Sequence, residues 1–331
     1  MSPDELVSLY SSGFRGFEPD PLVDRAFAQH LREVGGYANA GDACDDYRLT
    51  GSGAGKLWLT YLAADELFPG CLPGGRQGRG SCVAWSTRNA ALVSYCAYLR
   101  YGSNPQRYAV PAISADGVAN GVFSTEGIFW FRRKNSDGWQ CSAAAQVATE
   151  ECGLLERKAY PELGLDLTVY SASTEGRWGA SPPPESVRDE CKRHLCQDAT
   201  VANSWEQVRD LLANGFALSS CGMEAFVRTR DDWGVAARDH GDSWAHAMSL
   251  VAADDRPETH AKYGCGLVAV QNSWGDYLKG EDKVHGTAKR LPIGAFWARW
   301  TDLKSRYCVA LGPAHGWAAK QLPNWGLGDI V

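Results

Sequence analysis

Between Pro21 and Val34 the apolar positions Leu22, Val23, Ala26, Phe27 and Leu31 recur near helical spacing, with His30 among them, and predict one amphipathic helix. A Gly-rich break, GSGAGK at residues 51–56, is followed by the apolar run LWLTYLAADELFPG and a turn-rich loop, CLPGGRQGRGS, that ends at Cys82. From Cys82 onward the pattern changes. CVAWSTRNAALVSYCAYLRYG is dominated by small and apolar residues and has neither Pro nor Gly before Gly102, which predicts a buried helix of about five turns opening at Cys82. A second helix is expected over SAAAQVATEEC, with Ser142 as its cap and Gly153 as its stop. SPPPES at residues 181–186 reads as a rigid linker or helix entry. SWEQVRDLLANG then predicts a further helix, in which Ser204 and Gln207 have capping-box spacing and Gly215 marks the end.

Beyond Gly215 the helical register disappears. FALSSCG, HAMSLVAA and CGLVAVQ are short runs rich in Val, Leu and Ala, and they read as strands. The first half is therefore helix-rich and the second strand-rich, which predicts an α+β protein with a helical lobe packed on a sheet lobe. Residues 1–56 are expected to form an N-terminal accessory arm, and residues 57–331 the main domain. No internal repeat is present.

Of the 331 residues 44% are hydrophobic and 22% charged, enough for a substantial core. The 13 Trp and 13 Tyr belong mostly in that core or in cleft walls. A net charge of -6 with no basic run argues against a nucleic-acid partner. No stretch approaches the roughly 20 apolar residues of a membrane helix, so no membrane partner is expected. The N-terminus lacks the basic start and apolar run of a secretory signal, which points to a cytoplasmic or assembly-associated protein. The count of 11 Cys is odd, so at least one is unpaired. Without a signal segment they are expected to be reduced, mostly buried thiols. Cys191, His194 and Cys196 have a metal-like look, but no second ligand pair accompanies them, and no metal or cofactor is expected.

A cysteine hydrolase needs a thiol that ionises, a base, a group that orients the base, and donors for the developing oxyanion. Cys82 at a helix start meets the first need, because the unpaired N–H groups there stabilise a thiolate. His246, at the mouth of a predicted strand, is the candidate base. Asn272, at the end of another, can accept from one imidazole nitrogen and leave the other to face sulfur. Each alone has a plainer reading: a buried Cys, a satisfied core His, a turn Asn.

Taken together they resemble the papain family of cysteine peptidases. The match comprises Gln77, Gly80, Ser81, Cys82, Ala84, Trp85 and Ser86 around the nucleophile; His246, Ala247 and Met248; and Asn272, Ser273, Trp274 and Gly275, in the family's order. The resemblance covers roughly residues 65–310. It implies a papain-like two-lobe fold, a helical left lobe and an antiparallel sheet or barrel on the right, that cleaves a peptide or protein substrate by acyl transfer. Cys82 would be the nucleophile, His246 the base and Asn272 its orienter. Gln77 would supply an oxyanion donor, Trp274 would shield the His246–Asn272 bond, and Gly138 and Trp139 would line the substrate cleft.

The chain also departs from that pattern. Gln77 stands five positions before Cys82, one fewer than usual. Position 79 is Arg where secreted members carry a disulfide cysteine, and position 83 is Val where they usually carry Trp. The region before Cys82 is too short for a long inhibitory propeptide, so residues 1–56 are expected to lie over the cleft or to dock an assembly partner. Two other readings remain open. Cell-wall peptide hydrolases and transglutaminases also use Cys–His pairs, at usually shorter intervals and without the NSWG motif. A structural or binding component of an assembly, such as a viral particle, could keep the scaffold with its cleft blocked; the segments 104–123 and 224–243 look like insertions able to do this.

Overall fold

Helix α1 (Pro21–Glu33) follows the predicted amphipathic stretch, and α2 (Cys82–Tyr101) follows the apolar run that opens at Cys82. They belong to a computed structural model that describes residues 4, 5, 8, 16–33, 52–101, 123–196 and 198–312. Most of the expected insertion at 104–123 lies outside the described residues. α2 is buried along nearly its whole length because its sequence is apolar or small on every side. Its few hydroxyls stitch it to the sheet beneath. Ser86 Oγ donates to the Met248 carbonyl (2.7 Å), Ser249 Oγ donates to the Ser86 carbonyl (3.1 Å), and the Ala217 N–H donates to Ser94 Oγ (3.0 Å).

The sheet has seven strands: β1 (Leu57–Trp58), β2 (Ala199–Ala202), β3 (Leu218–Arg230), β4 (Ala236–Asp254), β5 (Leu267–Gln271), β6 (Ala295–Arg299) and β7 (Tyr307–Leu311). Their order is β2-β7-β3-β4-β5-β6, with β1 added against the end of β4, and every pairing is antiparallel. The expected α+β division holds: helices pack on one antiparallel sheet. From Trp244 to Asp254 every residue of β4 is buried, so its register cannot slip without moving a whole face. That register sets His246 opposite Gly222 and Ala247 opposite Cys221.

Several expectations need correction. The segment 224–243, expected to be an insertion, belongs to the sheet. It extends β3 and β4 into a hairpin whose turn is closed by Asp231, which accepts from the N–H groups of Trp233 and Val235, and by Gly234 at φ +82°. His246 therefore lies well inside a strand rather than at its mouth. The second predicted helix is α3 (Cys141–Gln146), which continues as a π turn over Val147–Glu151. Ser142 does not cap it; its hydroxyl bonds Asp24 of α1. Gly153 is needed for clearance, because a Cβ there would sit 1.6 Å from the His194 carbonyl oxygen. Helix α4 (Glu185–Lys192) starts directly after the proline run. In α5 (Trp205–Ala213), Ser204 Oγ does accept from the Gln207 N–H (3.2 Å), while Gln207 reaches back to the Asn203 N–H (2.7 Å). Gly215 follows at φ +88°.

The thiols are not all reduced. Cys141, at the start of α3, is joined to Cys221 of β3 by a disulfide with its Cα atoms 6.2 Å apart, so one covalent link crosses from helices to sheet. The Cys191 thiol meets that of Cys152, and His194 Nε2 meets Glu190 (3.3 Å) rather than a thiol.

Candidate active site

Cys82 is the first residue of α2, and the first helical bond runs from the Trp85 N–H to the Ser81 carbonyl (3.1 Å). The thiol thus lies where the helix's unpaired N–H groups and positive dipole end converge. On the sheet side the Ala247 N–H donates to Cys82 Sγ (3.3 Å), which brings the helix start against β4 one residue from His246.

His246 Nε2 meets Asn272 Oδ1 at 2.8 Å, and Asn272 follows directly on the end of β5. The Ser273 N–H also donates to Asn272 Oδ1 (2.7 Å). A backbone N–H can only donate, so this atom is the amide oxygen, and His246 Nε2 must carry the proton. Nδ1 is then the nitrogen left to act as base. The Trp274 ring lies 4.6 Å from the imidazole, with Trp244 at 4.8 Å behind it, so the His246–Asn272 bond is walled from water. Burial, aided by the Arg306 charge and opposed by the Asn272 bond, pushes the His246 pKa down to about 3. The imidazole is therefore neutral in this closed state.

Cys82, His246, Asn272 and Gln77 are all completely inaccessible, and the chain itself covers them. Residues 16–18 run between the two walls of the cleft. The Gly16 and Phe17 N–H groups donate to the Ala245 carbonyl (3.2 and 2.9 Å), the Trp139 N–H donates to the Gly16 carbonyl (3.2 Å), and the Glu18 N–H donates to the Trp139 carbonyl (2.9 Å). The main-chain groups of Trp139 are thus occupied by the protein's own segment. α1 continues over α3 and is held by Asp24–Ser142 and His30–Glu150, with Glu18–Lys134 at the segment's other end. Gly138, at φ +86°, donates to the Gly80 carbonyl (2.9 Å), tying this wall to the nucleophile loop. Arg79 bonds Asp137 through Nε (2.7 Å), so an ion pair joins the loops at that position.

Gln77, in the loop before Cys82, is fully buried. Its amide nitrogen donates to the Arg79 carbonyl (3.0 Å) and its oxygen accepts from Ser273 Oγ.

Two buried acidic groups beside the site escaped the sequence reading. Arg306 and Glu224 form a buried ion pair (3.1 Å) under β3 and β4. Glu175, fully buried, accepts from Ser81 Oγ and the Tyr170 hydroxyl (both 2.7 Å), one residue from Cys82. Burial and the nearby Glu126 raise the pKa of Glu175 to about 8. Neither arrangement has a local signature, because the partners lie 82 and 94 positions apart in the chain. Among the described residues, no group of three or more His, Cys, Asp or Glu side chains is arranged to hold a metal ion. No helix among them is long and apolar enough to cross a membrane.

No protein-family model and no curated protein sequence matches this chain. In fold it is similar to papain-like cysteine proteases. Xylellain, a cysteine protease from Xylella fastidiosa, is 14% identical over 72% of this chain and 81% of its own, with a TM-score of 0.46. Procathepsin B S9 from Trypanosoma congolense is 11% identical over 78% and 77%, with a TM-score of 0.44. The proform of the ragweed pollen cysteine protease Amb a 11 is 12% identical over 94% and 93%, with a TM-score of 0.44.

Proposed function

We propose that the chain is a cysteine peptidase, seen here in a closed form whose cleft is filled by residues 16–18. The observation that carries this reading is the chain of contacts from Asn272 Oδ1 to His246 Nε2, and from the Ala247 N–H to Cys82 Sγ at a helix N-terminus. Once the cleft is open, Cys82 gives its proton to His246 Nδ1 and the thiolate attacks a peptide carbonyl carbon. The tetrahedral oxyanion is met by the Cys82 N–H and the Gln77 amide. The imidazolium protonates the leaving amine, and water hydrolyses the thioester to acid and free thiol. An oxyanion donor is worth about 2.7–4 kcal/mol, so Gln77→Ala should leave a slow enzyme.

Reactivity of Cys82 toward iodoacetamide between pH 4 and 9, read by mass spectrometry, tests this. The full chain is compared with a form lacking residues 1–20, each with and without His246→Ala. Labelling that is slow in the full chain, faster near pH 5–6 in the shortened one and lost with His246→Ala is the expected result. Turnover of a peptide library should follow the same order. A second reading, a binding component of an assembly on the same scaffold, is favoured by the complete burial of the site. Cys82 that labels only near pH 8–9 in the shortened chain would establish that reading and sink the first.

A further inference from the structure

We propose that Arg306 is a positioning residue for the His246–Cys82 pair: it fixes the main chain at His246 and supplies a permanent positive charge to both groups. This inference rests on the cysteine peptidase reading.

Arg306 immediately precedes β7, and its side chain is fully buried. Its guanidinium bonds β3 and β4 together. Nε donates to Ser220 Oγ (3.0 Å), Nη2 to the Ser220 carbonyl (2.9 Å) and to the His246 carbonyl (2.6 Å), and Nη1 to Glu224 Oε2 (3.1 Å). The ladder between β3 and β4 shifts register between Gly222 and Glu224, next to the pair that sets Gly222 opposite His246. The fork thus holds the strands where the ladder is irregular, and it does so at the carbonyl of the base itself. The space is prepared for it. A Cβ on Gly222 would lie 2.6 Å from Arg306 Cγ and 2.4 Å from a Glu224 oxygen. Ser305 Oγ fills the other oxygen of Glu224.

A buried ion pair is a poor way to gain stability, since desolvation offsets most of the attraction and apolar residues of similar volume often do as well. This pair lies against the reacting groups, where a fixed charge has another effect. The guanidinium attracts the Cys82 thiolate and repels a charge on His246. His246 feels Arg306 and the neutral Asn272, Arg306 in turn feels Glu224 on β3, Cys308 on β7 and Cys82, and Glu175 bonds Ser81 beside Cys82 on the helical side. Among them Arg306 is the fixed cation. It therefore shifts both limbs of the thiolate–imidazolium window to lower pH.

The test follows ionisation of Cys82 by its ultraviolet thiolate absorbance, in the full-length protein and in the form lacking residues 1–20, each taken as the difference from its Cys82→Ser counterpart. In Arg306→Met both limbs should move up by about one pH unit or more, the size expected for loss of a nearby opposite charge. Arg306→Lys, which keeps the charge and loses the fork, should recover at least half of that shift. Glu224→Gln, which leaves the cation less compensated, should move both limbs down, and it carries the test if Arg306→Met does not fold. A role confined to folding would change stability and leave both limbs in place, and that result overturns the inference alone. A parent Cys82 that titrates as an ordinary thiol even without residues 1–20 overturns the peptidase reading and this inference with it.

Discussion

The two halves of the molecule solve the same problem differently: how to satisfy main-chain groups around a buried site. In the sheet half, strand pairing does nearly all of it, and Arg306 is needed only where the β3–β4 register breaks. In the helical half the loops have little ladder, and buried guanidinium groups gather main-chain carbonyls instead. Arg88 of α2 donates to Phe123 (2.8 Å), Cys71 (3.0 Å) and Pro73 (3.1 Å). Arg157 donates to Leu167 (3.1 Å) and pairs with the buried Glu126 (3.0 Å), which in turn accepts from the Ser171 N–H (3.1 Å). The lesson is that loops beside the candidate site can be tied down without secondary structure by single buried charged side chains, Arg88 alone holding three carbonyls.

The largest effect should follow from breaking that device. Arg88→Met leaves three buried carbonyls unsatisfied, and the expected loss is about 3–5 kcal/mol in urea unfolding. An equally conservative change in a regular part of the sheet, Val268→Ala, removes no hydrogen-bonding group and should cost about 1–3 kcal/mol. If Arg88→Met cost less than Val268→Ala, the contrast between the halves would be wrong.

Next in size is a pair of opposite pH responses. Glu175, in the helical half, keeps its proton to about pH 8 when folded, whereas the unfolded carboxyl loses it near its ordinary 4.5. The unfolded chain therefore binds fewer protons across that interval, and the contribution falls as pH rises from about 4.5 to 8. His246, in the sheet half, is neutral when folded down to about pH 3, while the unfolded imidazole charges below 6.5. Here the unfolded chain binds more protons, and the contribution is lost as pH falls from 6.5 toward 3. Each slope is at most about 1.4 kcal/mol per pH unit. Relative to the parent, Glu175→Gln should gain stability as pH climbs through its interval, and His246→Gln should gain as pH falls through its own. Denaturation curves at four or five pH values would separate the two; parallel curves for either variant would break its half of the comparison.

The halves also differed in how far they could be read from sequence. Apolar runs located the core segments of β3, β4 and β5 because those stretches are buried on both faces. They missed the hairpin arm at 224–243, where burial falls away beyond Phe226 and again beyond Ala236 and polar residues interrupt the pattern. Cys82, His246 and Asn272 were legible because each sits at or beside a strongly patterned element. Arg306, Glu224 and Glu175 were not, since their roles arise from contacts between distant segments. The orientation of Gln77 was equally out of reach, being set by the Arg79 carbonyl and Ser273 across the loop. The Cys141–Cys221 bridge depends on how α3 lies against β3, which no spacing reports.

Two serines bring this to its smallest scale. Ser142 and Ser204 look alike in sequence, each opening a predicted helix. Ser204 caps α5, so Ser204→Ala should cost about 1 kcal/mol, the usual value of an N-cap. Ser142 sits inside α3, where the helix opens at Cys141 and Gln140 makes no side-chain cap, and its hydroxyl instead bonds Asp24 of the arm that covers the cleft. Ser142→Ala should therefore change global stability by less than Ser204→Ala while loosening α1. Asp24 would remain partly buried without that donor, so the arm should release more readily and Cys82 should become more accessible to iodoacetamide. Ser204→Ala should leave that access unchanged. If instead Ser142→Ala lowered stability as a cap would and left Cys82 as protected as before, the arm would be held by its main-chain pairing at residues 16–18 alone, and the polar contacts of α1 would be incidental to closure.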